Sequence, residues 1–275
     1  MASSDLIHPT ALVSPAATIA AGVEIGAYAI IEDGVTIGAG CRIAPHAHVL
    51  RGVEMGTANT VERGAVIGGD PQSLGFDRSI RSGVRIGEGN VFREHVTVHR
   101  STAPGGMTVI GNHNFLMAGA HIGHDSVVQD HSVLANNVLI AGHVSIGSRC
   151  FIGGGVAVHQ FIRIGDYAML QGNSAFSQDV PPYCTGADVN VVGGLNVIGL
   201  RRAGFDSATR LEIKRAWNSA YKSQLGPVKG AAAALAGASW TPAARTLLEF
   251  MAAGGKKGLA GPRRVTNAGA KTPEE

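Results

Sequence analysis

The 275-residue chain is poor in aromatic residues, which make up 5% of it, and it has only three cysteines. Cys41, Cys150 and Cys184 lack the spacing of a zinc site and are too few for a disulfide scaffold. Cys41 and Cys150 occupy the small position of a hexad, so we expect them to be buried thiols in a reducing compartment. The net charge of +3 gives no support for nucleic-acid binding. No apolar run reaches transmembrane length, and the N-terminus lacks a charged segment followed by an apolar one. These absences predict a cytoplasmic protein with no stable membrane insertion.

Aliphatic residues instead recur every six positions over most of the chain. The first unbroken series is Ile7, Val13, Ile19, Ile25, Ile31, Ile37, Ile43, Val49, Met55, Val61 and Ile67, and a second runs from Ile110 to Phe176. A hexad repeat is typical of a parallel β-helix, in which three hexads form one triangular coil and equivalent residues stack about 4.8 Å apart. The abundant glycine, 39 residues, suits tight corners with positive φ. We therefore predict a mainly β fold.

The repeat is interrupted twice and then ends. Segments 68–83 and 99–109 are rich in glycine, serine and charge, and we predict that they are loops ejected from the prism. After Phe176 the hexads stop, and the pattern becomes helical from about Asn196. Asp206 is a candidate N-cap of the first long helix, and Thr241 and Pro242 mark the start of the last. We predict a β-helix over residues 1–195, an α-helical extension over 196–254 and a disordered tail over 255–275.

Histidines are concentrated near the middle coils. His124 and His143 are nineteen residues apart, one coil plus one residue, so their Cα atoms should lie close together on one edge of the prism. Gln160 continues this line, and His99 joins it once the inserted loop is discounted. A stripe of this kind has two chemical interpretations, general-base catalysis by a histidine or zinc bound by imidazoles.

Six motifs together resemble the UDP-N-acetylglucosamine O-acyltransferase family of lipid A synthesis, whose members belong to the hexapeptide-repeat acyltransferases. They are TVHRST at 97–102, HIGHD at 121–125, LANN at 134–137, AGHVSIG at 141–147, AVHQF at 157–161 and QDVPPY at 178–183. The resemblance implies a left-handed parallel β-helix that forms a homotrimer, with active sites in clefts between neighbouring prisms. It also implies transfer of a 3-hydroxyacyl group from acyl carrier protein to the 3-position of the glucosamine ring of the UDP-sugar, without cofactor or metal.

The resemblance also assigns roles to individual residues. His124 matches the general base, Asp125 its acidic support, and Gly142 the glycine whose N–H receives the thioester oxyanion. The expected substrate contacts are Gln72, His99, His121, His143 and Gln160, with Met169 and Gly172 at the end of the acyl groove and Asn196 and Arg202 at the nucleotide.

Four departures from the family pattern affect the sugar site. Ser73 and Gly75 stand where an acid and a lysine are expected, Ile198 replaces an acid, and Ala203 replaces an arginine. Three alternatives therefore remain open beside O-acylation. They are N-acylation of a 3-amino sugar nucleotide by the same fold, a zinc carbonic anhydrase-like β-helix, and a non-catalytic binding prism.

Overall fold

The computed structural model describes residues 6–262, most of which wind into a left-handed triangular prism. The chain visits three flat faces in turn, and each visit is a strand of two to five residues. Strands on one face pair in parallel with the strands one coil before and after. Coils are usually eighteen residues long, as in the pairing of Val127 with Ser145.

Face I contains nine strands. They are β1 (Leu12–Val13), β4 (Ile30–Ile31), β7 (His48–Val49), β10 (Val66–Gly69), β13 (Thr97–His99), β16 (His121–Ile122), β19 (Leu139–Ile140), β22 (Ala157–Val158) and β25 (Ala175–Phe176). Face II contains eight. They are β2 (Thr18–Ile19), β5 (Thr36–Ile37), β8 (Val53–Met55), β11 (Gly83–Ile86), β14 (Met107–Ile110), β17 (Val127–Val128), β20 (Ser145–Ile146) and β23 (Arg163–Ile164).

Face III contains ten strands. They are β3 (Glu24–Ile25), β6 (Arg42–Ile43), β9 (Thr60–Val61), β12 (Val91–Phe92), β15 (Phe115–Leu116), β18 (Val133–Leu134), β21 (Phe151–Ile152), β24 (Met169–Leu170), β26 (Cys184–Ala187) and β27 (Val191–Leu195). The last two pair in an antiparallel hairpin. We name each corner by the faces that it joins in chain order: corner I/II, corner II/III and corner III/I.

The hexad aliphatics form the core, as the sequence predicts. From the fourth hexad onward, beginning with Ile25, each is almost fully buried, and the three cysteines are free and buried. Each strand places one side chain inward and the next outward, so the hexad aliphatics form one column per face, and residues four places further on, such as Val23, Val35 and Ala47, complete the core. The interior is too narrow for many rings, and among residues 6–262 the aromatic residues fully buried in it are Phe92 and Phe176.

Both predicted interruptions contain a loop that leaves the prism at corner I/II, but each loop is shorter than predicted, because residues 68–69, 83, 99 and 107–109 belong to strands. Residues 70–82 lie between β10 and β11, and residues 100–106 lie between β13 and β14. They lengthen their coils, so that Val53 pairs with Val84 and Val84 with Thr108. The two insertions therefore bring extra chain to the same edge of the prism.

Four helices follow the hairpin: α1 (Val197–Arg202), α2 (Ser207–Tyr221), α3 (Pro227–Gly237) and α4 (Pro242–Ala253). The Asp206 side chain accepts a hydrogen bond from Thr209 N at 2.7 Å and caps α2 as predicted. Leu247, Leu248 and Met251 of α4 are fully buried in a second core. No helix of residues 6–262 is long and apolar enough to span a membrane.

The coil continues past the last hexad at Phe176, inside the predicted bounds of the β-helix, because Val180 bridges to Ile164 and β26 pairs with β24. The prediction of a disordered tail is wrong for its first residues. Residues 255–262 of the predicted tail also pack against the prism. Leu259 bridges to Asp179, and Ala260 is fully buried and accepts a hydrogen bond from Tyr221 Oη at 2.6 Å. The rest of the predicted tail, 263–275, lies outside the described residues.

Candidate active site

The predicted catalytic histidine lies at corner I/II, just after β16. His124 is followed by Asp125, whose backbone has a φ of 60° and whose N–H donates to Thr108 Oγ1 at 2.8 Å. One coil later His143 adopts the same left-handed conformation, and its N–H donates to the His124 carbonyl at 2.9 Å. The offset of one coil plus one residue thus brings His124 and His143 together, with ring centroids 5.1 Å apart. This confirms the predicted adjacency.

His124 and Asp125 form a hydrogen-bonded pair. Nδ1 of His124 lies 2.8 Å from Oδ2 of Asp125, and each side chain is only 13% exposed. Burial alone would raise the pKa of Asp125. Hydrogen bonds from Ser101, Thr102 and His124 outweigh that effect and hold the pKa at about 2. Because the carboxylate is ionised at neutral pH, Nδ1 must carry the proton, and Nε2 of His124 is left free to accept one.

Gly142 lies directly beneath the His124 ring. A Cβ atom built on it would stand 2.6 Å from Nε2 and 2.5 Å from Cε1 of His124, closer than any real side chain permits. Within residues 6–262 the Gly142 N–H has no hydrogen-bond acceptor, and the backbone of this glycine packs against the His124 ring. The catalytic histidine candidate and a backbone segment with a free N–H donor are therefore in direct contact.

His99 and His121 form a second, more buried pair on face I. Their rings meet edge to face at 4.7 Å, and His121 Nδ1 lies 2.8 Å from Thr97 Oγ1. Burial lowers the pKa of His99 to about 4, with smaller contributions from the neighbouring histidines, and burial also lowers the pKa of His121. Both imidazoles are therefore neutral at physiological pH and suit hydrogen bonding to uncharged hydroxyl or amide groups.

The open side of the corner is formed by exposed residues of the next coil. The ring of Phe161 stacks on His143 at 4.7 Å, and Lys256 Nζ lies 5.9 Å from the centre of the Phe161 ring. Gln160 is exposed beside them. Lys256 belongs to the segment for which the sequence predicts disorder, so no sequence pattern points to a cation at this corner.

The loop that carries Gln72 is held at its base and free at its tip. Arg100 is 11% exposed and donates to Asp70 Oδ1 at 2.9 Å and Ser82 Oγ at 3.0 Å. Gln72, Ser73 and Gly75 are exposed, and nothing lies within 4 Å of the Cβ position of Gly75. Residues 72–76 therefore present no charged side chain at the tip of the loop.

The remaining predicted contacts lie at other corners of the same chain. Met169 lies in β24 on face III. Gly172 follows at corner III/I, where a Cβ on it would meet only Gly154, at 3.1 Å from its carbonyl oxygen. Asn196 stands beside corner II/III: its side chain donates to Tyr167 O and accepts from Gly199 N, both at 3.0 Å. Arg202 is exposed at the end of α1. One chain therefore does not bring all the predicted residues into one site.

The histidine cluster also has donor atoms that could hold a cation. His124, Asp125 and His143 each offer one atom, and these atoms lie within 4.8 Å of one another. However, the 2.8 Å between His124 Nδ1 and Asp125 Oδ2 is a hydrogen-bond distance, and hydroxyl groups occupy other lone pairs of the same carboxylate. The geometry therefore fits an acid–base pair better than the zinc ligands of the carbonic anhydrase-like alternative.

The fold and this acid–base pair together define a hexapeptide-repeat acyltransferase. A family model for the bacterial transferase hexapeptide matches residues 107–142, and one described as UDP N-acetylglucosamine O-acyltransferase, domain 2, matches residues 179–260.

Curated relatives and a solved structure narrow the class. Two acyl-(acyl-carrier-protein)–UDP-N-acetylglucosamine O-acyltransferases are similar over most of the chain. The one from Sulfurihydrogenibium is 51% identical over 79% of this chain and 80% of its own. The one from Xanthomonas euvesicatoria is 40% identical over 91% and 96%. The crystal structure of UDP-N-acetylglucosamine O-acyltransferase from Moraxella catarrhalis superimposes with a TM-score of 0.87 at 35% identity, covering 93% of this chain and 99% of that one. The chain belongs to the UDP-N-acetylglucosamine O-acyltransferase family.

Proposed function

We propose that this protein transfers a 3-hydroxyacyl group from acyl carrier protein to the 3-hydroxyl of UDP-N-acetylglucosamine, the first step of lipid A synthesis. The observation that carries the proposal is the hydrogen-bonded His124–Asp125 pair, against whose imidazole ring the backbone of Gly142 packs. Membership of the family supplies the substrates, since its curated relatives are named for acyl carrier protein and UDP-N-acetylglucosamine.

The chemistry follows from this geometry. His124 Nε2 accepts the proton of the sugar hydroxyl while the oxygen attacks the thioester carbonyl. The carbonyl oxygen becomes an oxyanion and accepts a hydrogen bond from Gly142 N–H. The intermediate then collapses, the C–S bond breaks, and His124 returns its proton to the departing thiolate of the acyl carrier. Asp125 stays ionised throughout and stabilises the imidazolium.

The neighbouring imidazoles would hold the substrates. The neutral His99 and His121 suit hydroxyl and amide groups of the sugar, and His143 and Gln160 border the open side where the acyl carrier would approach. Gln72, on the exposed tip of loop 70–82, would close over the sugar nucleotide.

We further propose that three copies assemble in the cytoplasm. The predicted groove and nucleotide residues lie at two corners away from His124, so a neighbouring prism would be needed to complete the site. The outward side chains of face III form an apolar ladder in which Val133, Phe151 and Met169 are consecutive partners. Phe151 is 45% exposed in the single chain. Packing against neighbouring copies in a closed ring would bury this apolar ladder.

The test is an acyl-transfer assay with 3-hydroxyacyl carrier proteins of several lengths. UDP-N-acetylglucosamine and its 3-amino analogue compete at equal concentration. Preference for the hydroxyl substrate supports O-acylation. Preference for the amine would establish N-acylation and would make the uncharged loop tip at Ser73 and Gly75 the specificity element. The absence of transfer to either sugar would refute the proposal, and sedimentation as a monomer would refute the trimer.

A further inference from the structure

We propose that Ser101 and Thr102 are positioning residues, whose hydroxyl groups clamp the Asp125 carboxylate so that it holds His124 with Nε2 towards the substrate. The inference rests on the proposed function and deepens it. Ser101 Oγ donates to Oδ1 of Asp125, while Thr102 donates to Oδ2 through Oγ1 at 2.6 Å and through its backbone N–H at 3.1 Å. The sequence motif TVHRST contains both residues, but the motif alone assigns them no role.

The hydrogen bonds from Ser101 and Thr102 determine which histidine the Asp125 carboxylate contacts. Oδ2 of Asp125 is 2.8 Å from His124 Nδ1 and 3.6 Å from His143 Nε2, so a small rotation about the side-chain bonds would exchange one partner for the other. With Ser101 on Oδ1 and Thr102 on Oδ2, the plane of the carboxylate is fixed at both oxygens. The bond to Thr108 cannot replace them, because it holds the backbone of Asp125 and not its carboxylate.

The clamp consists of uncharged groups. Among residues 6–262 the ion-pair partners of Asp125 are the two histidines, and no arginine or lysine neutralises it. Hydroxyl donors orient a carboxylate and favour its ionised form without cancelling its charge. Asp125 can therefore direct its full charge at the imidazolium that forms on His124.

The inserted loop 100–106 is shaped around this contact. Ser101 is fully buried, and its Oγ also accepts a hydrogen bond from Ala103 N–H at 3.0 Å, which directs its own proton towards Asp125. A Cβ on Gly106 would collide with Ser101 Oγ. The glycine therefore lets the end of the loop pass close to the Ser101 hydroxyl. A coil of eighteen residues lacks the inserted loop and therefore has no residue at the position of Ser101.

The variants Ser101→Ala and Thr102→Val remove one hydroxyl each, and the double variant removes both. Because a misplaced base loses rate rather than binding, kcat of the double variant should fall by about 10- to 100-fold while KM stays within about twofold. Thr102→Ser keeps the hydroxyl and should retain kcat. Ser132→Ala is the matched control, since Ser132 is buried and its Oγ donates to Gly147 O at 3.0 Å, at another corner. It should leave kcat unchanged.

The deciding comparison repeats the double substitution in an Asp125→Ala background. If the hydroxyls act through Asp125, they should add almost nothing there, because residues that act as one unit are not additive. A further loss as large as in the wild-type background would overturn the proposal, and so would an unchanged kcat in the double variant of the otherwise wild-type enzyme.

A failure of the proposed function would look different, because the wild-type enzyme would then transfer no acyl group. In that case the crystal structure of the double variant decides. We expect the Asp125 carboxylate to turn away from His124. A retained distance of 2.8 Å between His124 Nδ1 and Asp125 Oδ2 would show that the clamp is dispensable.

Discussion

Two corners of the prism each carry a pair of histidines one coil apart, but only one pair is arranged for chemistry. At corner II/III, His113 and His131 stack with their rings 15° from parallel and 5.1 Å apart. At corner I/II, His124 and His143 are equally close, but their rings are perpendicular. The repeat brings both pairs together, so proximity by itself does not make a catalytic site.

The difference lies in the register and in the inserted loops. His113 and His131 are eighteen residues apart and occupy equivalent places in successive turns, whereas His124 precedes its turn position by one residue. That step sets His124 over Gly142 rather than on top of the next side chain. The nearest acid to His113 is Glu88, 3.8 Å away and 59% exposed, while Asp125 is fixed by the loop hydroxyls. A catalytic corner therefore needs an offset and an insertion as well as the repeat.

The largest effect should come from removing the base. His124→Ala should lower kcat by about 10²- to 10⁴-fold, the usual contribution of a positioned general base. His131→Ala removes a histidine from the other corner and should leave kcat near the wild-type value. Steady-state kinetics on both variants checks this, and equal effects at the two corners would contradict the distinction between them.

Gly142→Ala should cost almost as much. The new Cβ would overlap the His124 ring, which must move, and displacement of a reacting group by about 1 Å can cost about 100-fold in rate. Gly193→Ala is the matched control, because its nearest neighbour would be Thr185 O at 3.9 Å. Comparable activity of the Gly142 and Gly193 variants would show that the close approach at corner I/II is unimportant.

The buried histidines should make folding sensitive to pH. The pKa of His99 is about 4 in the folded protein and near 6.5 when unfolded, so the unfolded chain binds the extra proton between these values. Stability is then full above pH 6.5 and falls by about 3 kcal/mol as the pH drops to about 4.

His99→Gln should flatten this slope, whereas His131→Gln, at the exposed pair, should not. Urea titrations at several pH values measure the free energy of unfolding. Asp125 affects the free energy of unfolding only below the pH range in which His99 does, since its pKa is lowered to about 2. Its titration therefore does not disturb the comparison of the two histidine variants. If the free energy of unfolding of the His99 variant has the same slope against pH as the wild type, the pH dependence does not come from His99.

The smallest effect concerns the third corner. A side chain on Gly172 would project where the acyl chain is expected to end, so Gly172→Met should shift preference towards shorter donors. Each methylene is worth about 0.8 kcal/mol. Gln129→Met places the same side chain at corner II/III and should leave the preference unchanged. An unaltered length profile for Gly172→Met would remove corner III/I from the acyl groove.

Much of the fold follows from the sequence because, in a regular repeat, the separation of two residues along the chain fixes their relative position in the structure. Equivalent residues must stack, so the hexad period alone predicts the buried aliphatic columns, the two ejected loops and the meeting of His124 with His143. The end of the prism does not follow from it, because β26 and β27 pair without the hexad pattern. The buried place of Ala260 depends on contacts with residues far away in the chain.

By itself, the sequence determined the three-faced prism, its aliphatic core and the edge where the histidines gather, since these follow from a period of six and the alternation of side chains along a strand. The tertiary structure alone decided that Ser101 and Thr102 reach Asp125, because the length of the loop at 100–106 hides their register. It also decided that Asn196 stands beside corner II/III, because this residue follows the last hexad and its position depends on contacts with Tyr167. Spacing along the chain tells which residues share an edge, whereas the direction of a carboxylate depends on the donors that three-dimensional packing brings to it.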